Sequence, residues 1–452
     1  MNNSGGLAVL NNQIYEVLMS TDNSNNWLEA LAELRSAPEW EDWQDLSRGR
    51  YLLSRLRRTL LNAPEKLTGN LWQQTTEEFL ANESLKYGPD LDRVAKDFWA
   101  DADDEQSLFR RAAVAARYID QHIAPGSVPQ APSGTDEFLT KDNTYVFPSP
   151  RALAERPPTM RHGIKRRLLL NHRVVPTQID GRRVLISVHP QLAETEQAKN
   201  IPRKIGCCLF LGFRLNQISG RKDFIAESAS ADGPIASILA EQLETARVDH
   251  CDTVVWPELT MEPVNVSVLS GLLATSPIET PLPTIILAGS WHIKTGDTYV
   301  NRGIVLDGNG DELVTFDKCL PFLDSKPETS EGIEGSDFIQ LMVTEHEVVA
   351  LTICRDFCDG NRLKLLEECD ATYALVPSLG KESTVTASLN TAANLQTSVG
   401  TLSAVSQQLL IMPDEEAPRH AGYVIKAPRS PQKLEISSCK ETGQFISFKS
   451  GA

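Results

Sequence analysis

The 452-residue chain is expected to be a mixed α/β protein preceded by an all-α region, and three features carry that expectation. Residues from roughly 5 to 124 repeat apolar side chains at three- and four-residue spacings, the period of an amphipathic helix. From about 203 the texture changes to short β-branched runs alternating with amphipathic stretches, the pattern of a sheet with helices stacked on it. Three of the β-branched runs then give out on a polar side chain, at Glu258, Lys318 and Cys354.

The helical half reads clearly. NNWLEALAELRSAPEWEDWQDLSRGRYLLSRLRRTLLNAPEKL and DRVAKDFWADADDEQSLFRRAAVAARYIDQHI both follow the helical period. The second carries Asp and Glu early and Arg late, as the helix dipole favours. Prolines 38, 64 and 89 punctuate the region, no repeat of 20 to 50 residues is visible, and Trp27, Trp40, Trp43, Trp72 and Trp99 are expected as core anchors of a bundle. APGSVPQAPSGTD at 124–136 is rich in Pro, Ser and Gly and marks a domain boundary. The expected division is therefore a helical domain at 1–124, a linker with a basic and hairpin extension at 125–200, and an α/β domain at 201–452.

Within the extension, YVFPSPRALAERPPTMRHGIKRRLLLNHRVV is a basic cluster in an acidic protein. It either pairs with the acidic helical half or faces a partner. QIDGRRVLISV reads as a hairpin arm turning at Asp180-Gly181. In the α/β domain, IGCCLFLGF, DTVVWPE, TIILAGSWHI, VVALTIC, ATYALVPS and TLSAVSQQ read as strands. PIASILAEQLETARVDH, NRLKLLEECD and SLNTAANLQTSVG read as helices, and RGIVLDGNGDELVTFDK as a hairpin with a Gly-Asn-Gly turn.

Composition narrows the function classes. Hydrophobic residues make up 41% and charged residues 23%, ordinary for a globular protein. The net charge of −16 argues against a general binder of nucleic acid or anionic membranes. No apolar run approaches the roughly 20 residues that span a bilayer. The N-terminus has no signal-peptide pattern, and eight thinly spread cysteines look like reduced thiols of a cytoplasmic protein. With no CxxC pair and no matching His, a zinc site is not expected.

A carboxylate, an ammonium and a thiol at strand ends can converge on one rim of a sheet, where α/β sites usually lie. Taken singly, Glu258 reads as a helix-start charge, Lys318 as a solvated side chain and Cys354 as an inert small hydrophobe. Taken together they form a coherent device. The thiolate is the reactive form, and an ammonium nearby lowers a thiol pKa. A carboxylate takes the proton and later activates water. The lysine and the backbone N–H groups after the nucleophile stabilise an oxyanion. No metal and no organic cofactor is required.

VVWPELTM, FDKCLPF and ALTICRDF, in that order, resemble the three signatures of the nitrilase (carbon–nitrogen hydrolase) superfamily over residues of about 203–450. LAGSWHIKTGDTYVNRGIVLDGNG and TAANLQTSVGTLSAVSQQ resemble its supporting segments. The resemblance implies a four-layer αββα sandwich, commonly paired face to face as a homodimer or built into a higher homo-oligomer. It implies Cys354 as nucleophile, Glu258 as general base and Lys318 as oxyanion stabiliser. The reaction implied is hydrolysis of an amide or nitrile through an acyl-thioester. Many members carry a second glutamate after the lysine. KPETSEGIEGSDF offers Glu328, Glu331 and Glu334, of which Glu328 is preferred for its spacing to Gly335. The Arg355 backbone N–H would help form the oxyanion hole.

The chain also departs from the family. Arg355 stands where many members have an aromatic residue, and it either selects an anionic substrate or pairs with Asp356 or Asp359. CDGNRLKLLEE and PSLGKESTVTASLN also differ from the family pattern, and these differences touch the substrate pocket more than the triad. Two other readings compete with the hydrolase. One is a pseudoenzyme or scaffold on the same fold. The other is a gated effector, as in bacterial defence, whose N-terminal helices bind a protein partner.

Overall fold

The computed structural model describes residues 26–93, 98–100, 102–123, 135–148, 163–189, 204–218, 221–276, 282–323, 330–344, 347–410, 420–426, 435–440 and 445–449. The chain forms two compact units. One comprises 1–126, 138–153 and 157–174, and the other comprises 127–137, 154–156 and 175–452. The boundary expected at 124–136 lies, as far as residue 134, outside the described residues.

The first unit is built on helices α1 (26–35), α2 (Leu46–Leu61), α3 (Glu77–Arg93) and α4 (Glu105–His122). Their starts are chemically marked. Asp45 caps α2 through the Arg48 N–H, and Asp104 forms a capping box with Ser107 at the head of α4. The five tryptophans named above are all buried in one cluster with Leu52, Leu56, Phe109 and Ala116. Trp72 meets Phe109 edge to face with centroids 6.3 Å apart, a preferred aromatic geometry. The described part of the basic extension also turns inward, for Arg167 donates to the Trp72 carbonyl at 2.9 Å. Strands β1 (Thr144–Pro148) and β2 (His172–Pro176) pair as a small sheet.

The second unit holds a six-stranded and an eight-stranded sheet. The first runs β11-β10-β9-β8-β5-β18, with β5 (Lys204–Cys208), β8 (Thr253–Val255) and β9 (Ile285–Thr295) parallel. Strand β9 forms a hairpin with β10 (Thr298–Leu306), and β10 pairs in turn with β11 (Glu312–Asp317), both antiparallel. Strand β18 (Phe445–Lys449) closes the far edge. The second sheet runs β17-β16-β15-β14-β13-β12-β4-β3, with β16 (His420–Lys426) and β17 (Glu435–Lys440) at one edge. Its centre is β12 (Phe338–Val343), β13 (Val348–Leu351), β14 (Tyr373–Gly380) and β15 (Leu402–Leu409). β3 (Gln178–Ile179) and β4 (Arg182–Val188) turn through Asp180 and Gly181, both at positive φ, as a two-residue hairpin turn requires.

Period-two alternation decides what each sheet face buries. Ile205, Cys207, Val255, Ile285 and Leu287 share one cluster with Met342, Val349, Leu351, Leu375 and Ala404 of the other sheet. The intervening Cys208, Val254, Ile286 and Ala288 pack on Leu239 and Leu243 of α5 (Ile235–Val248) and Leu269 of α6 (Pro263–Ala274). Helix α9 (Glu382–Ser398) packs on β15. It begins six residues before the stretch expected to be helical, with Lys381 at the N-cap position and Glu382 in the first turn, where a negative charge meets the helix dipole favourably.

Candidate active site

Glu258, Lys318 and Cys354 each follow a strand, β8, β11 and β13 respectively, and all three side chains are buried. Each is delivered by a particular backbone feature. After β8 the chain passes so close to β9 that a Cβ on Gly289 would stand 2.3 Å from the Pro257 carbonyl. Only glycine fits there, at φ 55°, and Leu259 beside Glu258 is itself at φ 54°. Lys318 is held by its N–H to the Asn301 carbonyl, 2.9 Å away. Cys354 sits at φ 47° and ψ −102°, between β13 and the single helical turn α7 (Arg355–Cys358). Positive φ on a residue with a Cβ is strained backbone of the kind that clusters at functional sites. The Cys354 N–H is anchored on the Pro377 carbonyl at 2.9 Å.

The ammonium of Lys318 is shared between two carboxylates. Its Nζ donates to Glu258 Oε1 at 2.8 Å and to Glu331 Oε2 at 2.7 Å. Asn301 bridges the same pair, for its Nδ2 donates to Glu258 Oε1 and to Glu331 Oε1, both at 2.9 Å. Directly across the β9–β10 ladder from Asn301 lies His292, whose Nε2 reaches Glu331 Oε1 at 3.0 Å. The Ala226 N–H donates to His292 Nδ1 at 2.8 Å. Nδ1 is therefore an acceptor and the proton resides on Nε2, from which it is donated to Glu331. The Phe322 N–H adds a fourth donor to Glu331 at 2.8 Å. Leu379 links the thiol to the first carboxylate: its N–H donates to Glu258 Oε2 at 2.9 Å and its carbonyl lies 3.5 Å from Cys354 Sγ.

These environments push the two carboxyls apart. Burial raises Glu258 well above the ordinary carboxyl range; Cys354 and Glu331 push the same way and Lys318 opposes. Glu331 is equally buried, yet Lys318 and His292 hold it well below that range. Burial alone would lower Lys318, but the carboxylates of Glu258 and Glu331 hold its ammonium well above the ordinary value. Of the two carboxyls, Glu331 is therefore the one held ionised beside Lys318, and Glu258 the one more readily protonated.

The thiol departs from expectation. Lys318 does pull Cys354 down, but the hydrogen bond with Cys358 and burial outweigh it, so the Cys354 thiol is raised well above the ordinary value. Cys358, one helical turn on, is lowered by that same bond. These surroundings favour the thiol form of Cys354 over the thiolate.

Of the other expected residues, Glu328 lies outside the described residues; among the described residues it is Glu331, another of the three glutamates, that meets Lys318. Arg355 pairs with Asp359 at 3.6 Å and donates to the Pro321 carbonyl at 2.6 Å. Asp356 turns instead to backbone N–H groups. His292, Asn301 and Leu379 were not expected in the site. His292 and Asn301 lie in strands that also hold Ser290, Lys294 and Arg302, so polarity alone did not set them apart. Leu379 carried no signal, since only its backbone takes part. Among the described residues no group of His, Cys, Asp and Glu is placed to hold a metal, and no helix is long and apolar enough to cross a membrane.

No family model matches the chain, and no curated protein matches it. Among solved structures, an amidase from Nesterenkonia sp. is 12% identical, covering 56% of this chain and 92% of its own at a TM-score of 0.38. A cysteine-to-alanine mutant of the Nesterenkonia AN1 amidase, described as from the nitrilase superfamily, is 12% identical over 55% of this chain and 90% of its own, at 0.39. A cysteine-to-serine mutant of that amidase is 11% identical over 55% and 92%, at 0.40.

Proposed function

We propose that the chain is a carbon–nitrogen hydrolase of the nitrilase type, cleaving a small amide or nitrile through an acyl-thioester on Cys354. One observation carries the reading: a strained cysteine beside a buried lysine shared by two carboxylates of opposite pKa shift. The shared core between the two sheets, with helices on their outer faces, supports the four-layer αββα sandwich that the sequence resemblance implies.

In this mechanism Cys354 Sγ–H gives its proton to the Glu258 carboxylate as the sulfur attacks the carbonyl carbon of an amide. A lysine ammonium has three donors; two engage Glu258 and Glu331, and the third meets the developing oxyanion together with the Arg355 backbone N–H. Glu258 then protonates the leaving nitrogen, and ammonia or an amine departs. The regenerated Glu258 carboxylate takes a proton from water, whose oxygen attacks the thioester. Collapse releases the acid and returns the proton to the Cys354 sulfur. Glu331, held ionised by its donors, keeps Lys318 charged throughout. His292 and Asn301 hold Glu331 in place.

The test is ammonia release from a panel of small aliphatic and aromatic amides and nitriles, with mass mapping of acyl adducts after rapid acid quench. Cys354→Ala should reduce turnover more than about a thousandfold, since the nucleophile and its base act as a unit. Turnover that survives Cys354→Ala, or an adduct on another cysteine, would sink the reading.

A further inference from the structure

Asp356, two residues past the nucleophile, is buried and has no part in the chemistry above. Its Oδ2 accepts the Cys319 N–H at 2.9 Å and its Oδ1 the Leu320 N–H at 2.8 Å. Its neighbour Arg355 donates from Nη1 to the Pro321 carbonyl at 2.6 Å. The three residues that follow Lys318 are thus gripped, one after another, by the two residues that follow Cys354. The same loop ends with the Phe322 N–H on Glu331 Oε2, the oxygen that also accepts from Lys318 Nζ.

We propose that Asp356, with the Arg355 side chain as its second tie, is a positioning residue that sets the register of the Lys318 loop against the Cys354 turn. The inference rests on the Glu–Lys–Cys reading of the site and deepens it. The side-chain type matters. Two adjacent backbone N–H groups present two donors, and a carboxylate meets them with two coplanar acceptors. Asparagine offers one oxygen and sets its NH2 against the other N–H. Glutamate keeps both oxygens but is longer by a methylene, so the loop must shift against the turn. Burial raises the Asp356 carboxyl above its ordinary value, and the Cys319 N–H, Lys318, Arg362 and the Leu320 N–H oppose that shift. Arg355, on this account, holds the loop rather than selecting an anionic substrate.

Positioning and plain electrostatics predict opposite signs. If Asp356 acted only as a nearby negative charge, its removal would make the Cys354 thiolate easier to form. If it holds Lys318 in register, its removal carries the ammonium away from the thiol and makes the thiolate harder to form. A solely structural role would lower thermal stability and leave thiol reactivity alone.

The experiment measures Cys354 alkylation by limiting iodoacetamide, mapped by peptide mass across the pH range in which thiols titrate, on the full chain. Thermal unfolding is followed in parallel. Asp356→Asn should move the Cys354 midpoint upward by about one pH unit and slow alkylation near neutrality about tenfold. Asp356→Glu should fall between it and wild type, and Arg355→Met should move the midpoint the same way by less. Asp317→Asn is the control: it breaks the Arg302–Asp317 ion pair, 2.7 Å, one residue before Lys318 and should leave the profile unchanged. A downward or absent shift in Asp356→Asn overturns the proposal, as does an equal shift in Asp317→Asn. If Asp356→Asn does not fold, an unchanged profile in Arg355→Met overturns it. Failure of the amide panel would sink the functional reading while leaving this thiol readout intact, so the two failures are distinguishable.

Discussion

Replacing Glu331 with glutamine removes one negative charge from the centre of the candidate site and changes little else in volume. Glu331 accepts from Lys318 Nζ at 2.7 Å, Phe322 N at 2.8 Å, Asn301 Nδ2 at 2.9 Å and His292 Nε2 at 3.0 Å. At an effective dielectric near 20, unit charges 2.7 Å apart attract by about 6 kcal/mol. Desolvation of both ions offsets much of that, and measured losses on removing one partner of a buried pair are about 3–5 kcal/mol. Glutamine keeps one acceptor oxygen but sets an NH2 against groups that are all donors, which adds to the loss. Glu331→Gln should therefore lose about 3–5 kcal/mol in urea unfolding followed by tryptophan fluorescence.

The acid limb supplies a second readout. Glu331 is held below the ordinary carboxyl value, so its contribution is fully present above the unfolded pKa and is lost as pH falls through the folded one. The variant should lack that acid-side loss and show a flatter profile below about pH 4.5. Glu258 should also change: without the Glu331 charge, which raises it, its pKa falls and it becomes a weaker base. On the proposed mechanism, turnover of an amide substrate should then drop even where the protein stays folded. Stability within about 0.5 kcal/mol of wild type, the range of ordinary surface substitutions, with an unchanged acid limb would refute the four-donor account of this glutamate.

Two further outcomes follow from the described contacts. Cys358→Ala removes the hydrogen bond that raises Cys354; the pH midpoint of Cys354 alkylation should fall, and an unchanged or higher midpoint would show that the two thiols do not share a proton. Trp72→Ala should cost about 3–5 kcal/mol, because the indole is fully buried against Phe109 and under Arg167; a loss below about 1 kcal/mol in denaturant unfolding would mean that this part of the first unit's core is not packed as described.

Much of this protein was legible in its residues because two kinds of signal are local. Local composition needs no partner, so the short β-branched apolar runs IIL and VVAL mark strands before any sheet exists, and the five tryptophans mark a core. Polar side chains that end apolar strands pointed to Glu258, Lys318 and Cys354, and the Asp180-Gly181 and Gly-Asn-Gly turns were written in residues that tolerate positive φ. Helix α6 carried a misleading mark: VNVSV in PVNVSVLSGLLA alternates like a strand, and only the packing of Leu269 and Leu273 on the sheet and α5 decides its state.

The composition of the site was decided elsewhere. That Glu331 meets Lys318 depends on backbone bonds that tie residues 330–332 to Phe322 and Phe224, and neither spacing nor residue type encodes them. His292 and Asn301 converge on one carboxylate oxygen because β9 and β10 pair in a register that sets them opposite each other. The opposite pKa shifts of Glu258 and Glu331 arise from the number of donors facing each in a dry interior, and Cys354 is raised because Cys358 is folded back onto it by one helical turn. By itself the sequence determined which residue types stand at the ends of which strands, since period and turn chemistry act within a few residues. Only the tertiary structure decided which charges share a buried proton, since that depends on distances of about 3 Å between segments far apart in the chain.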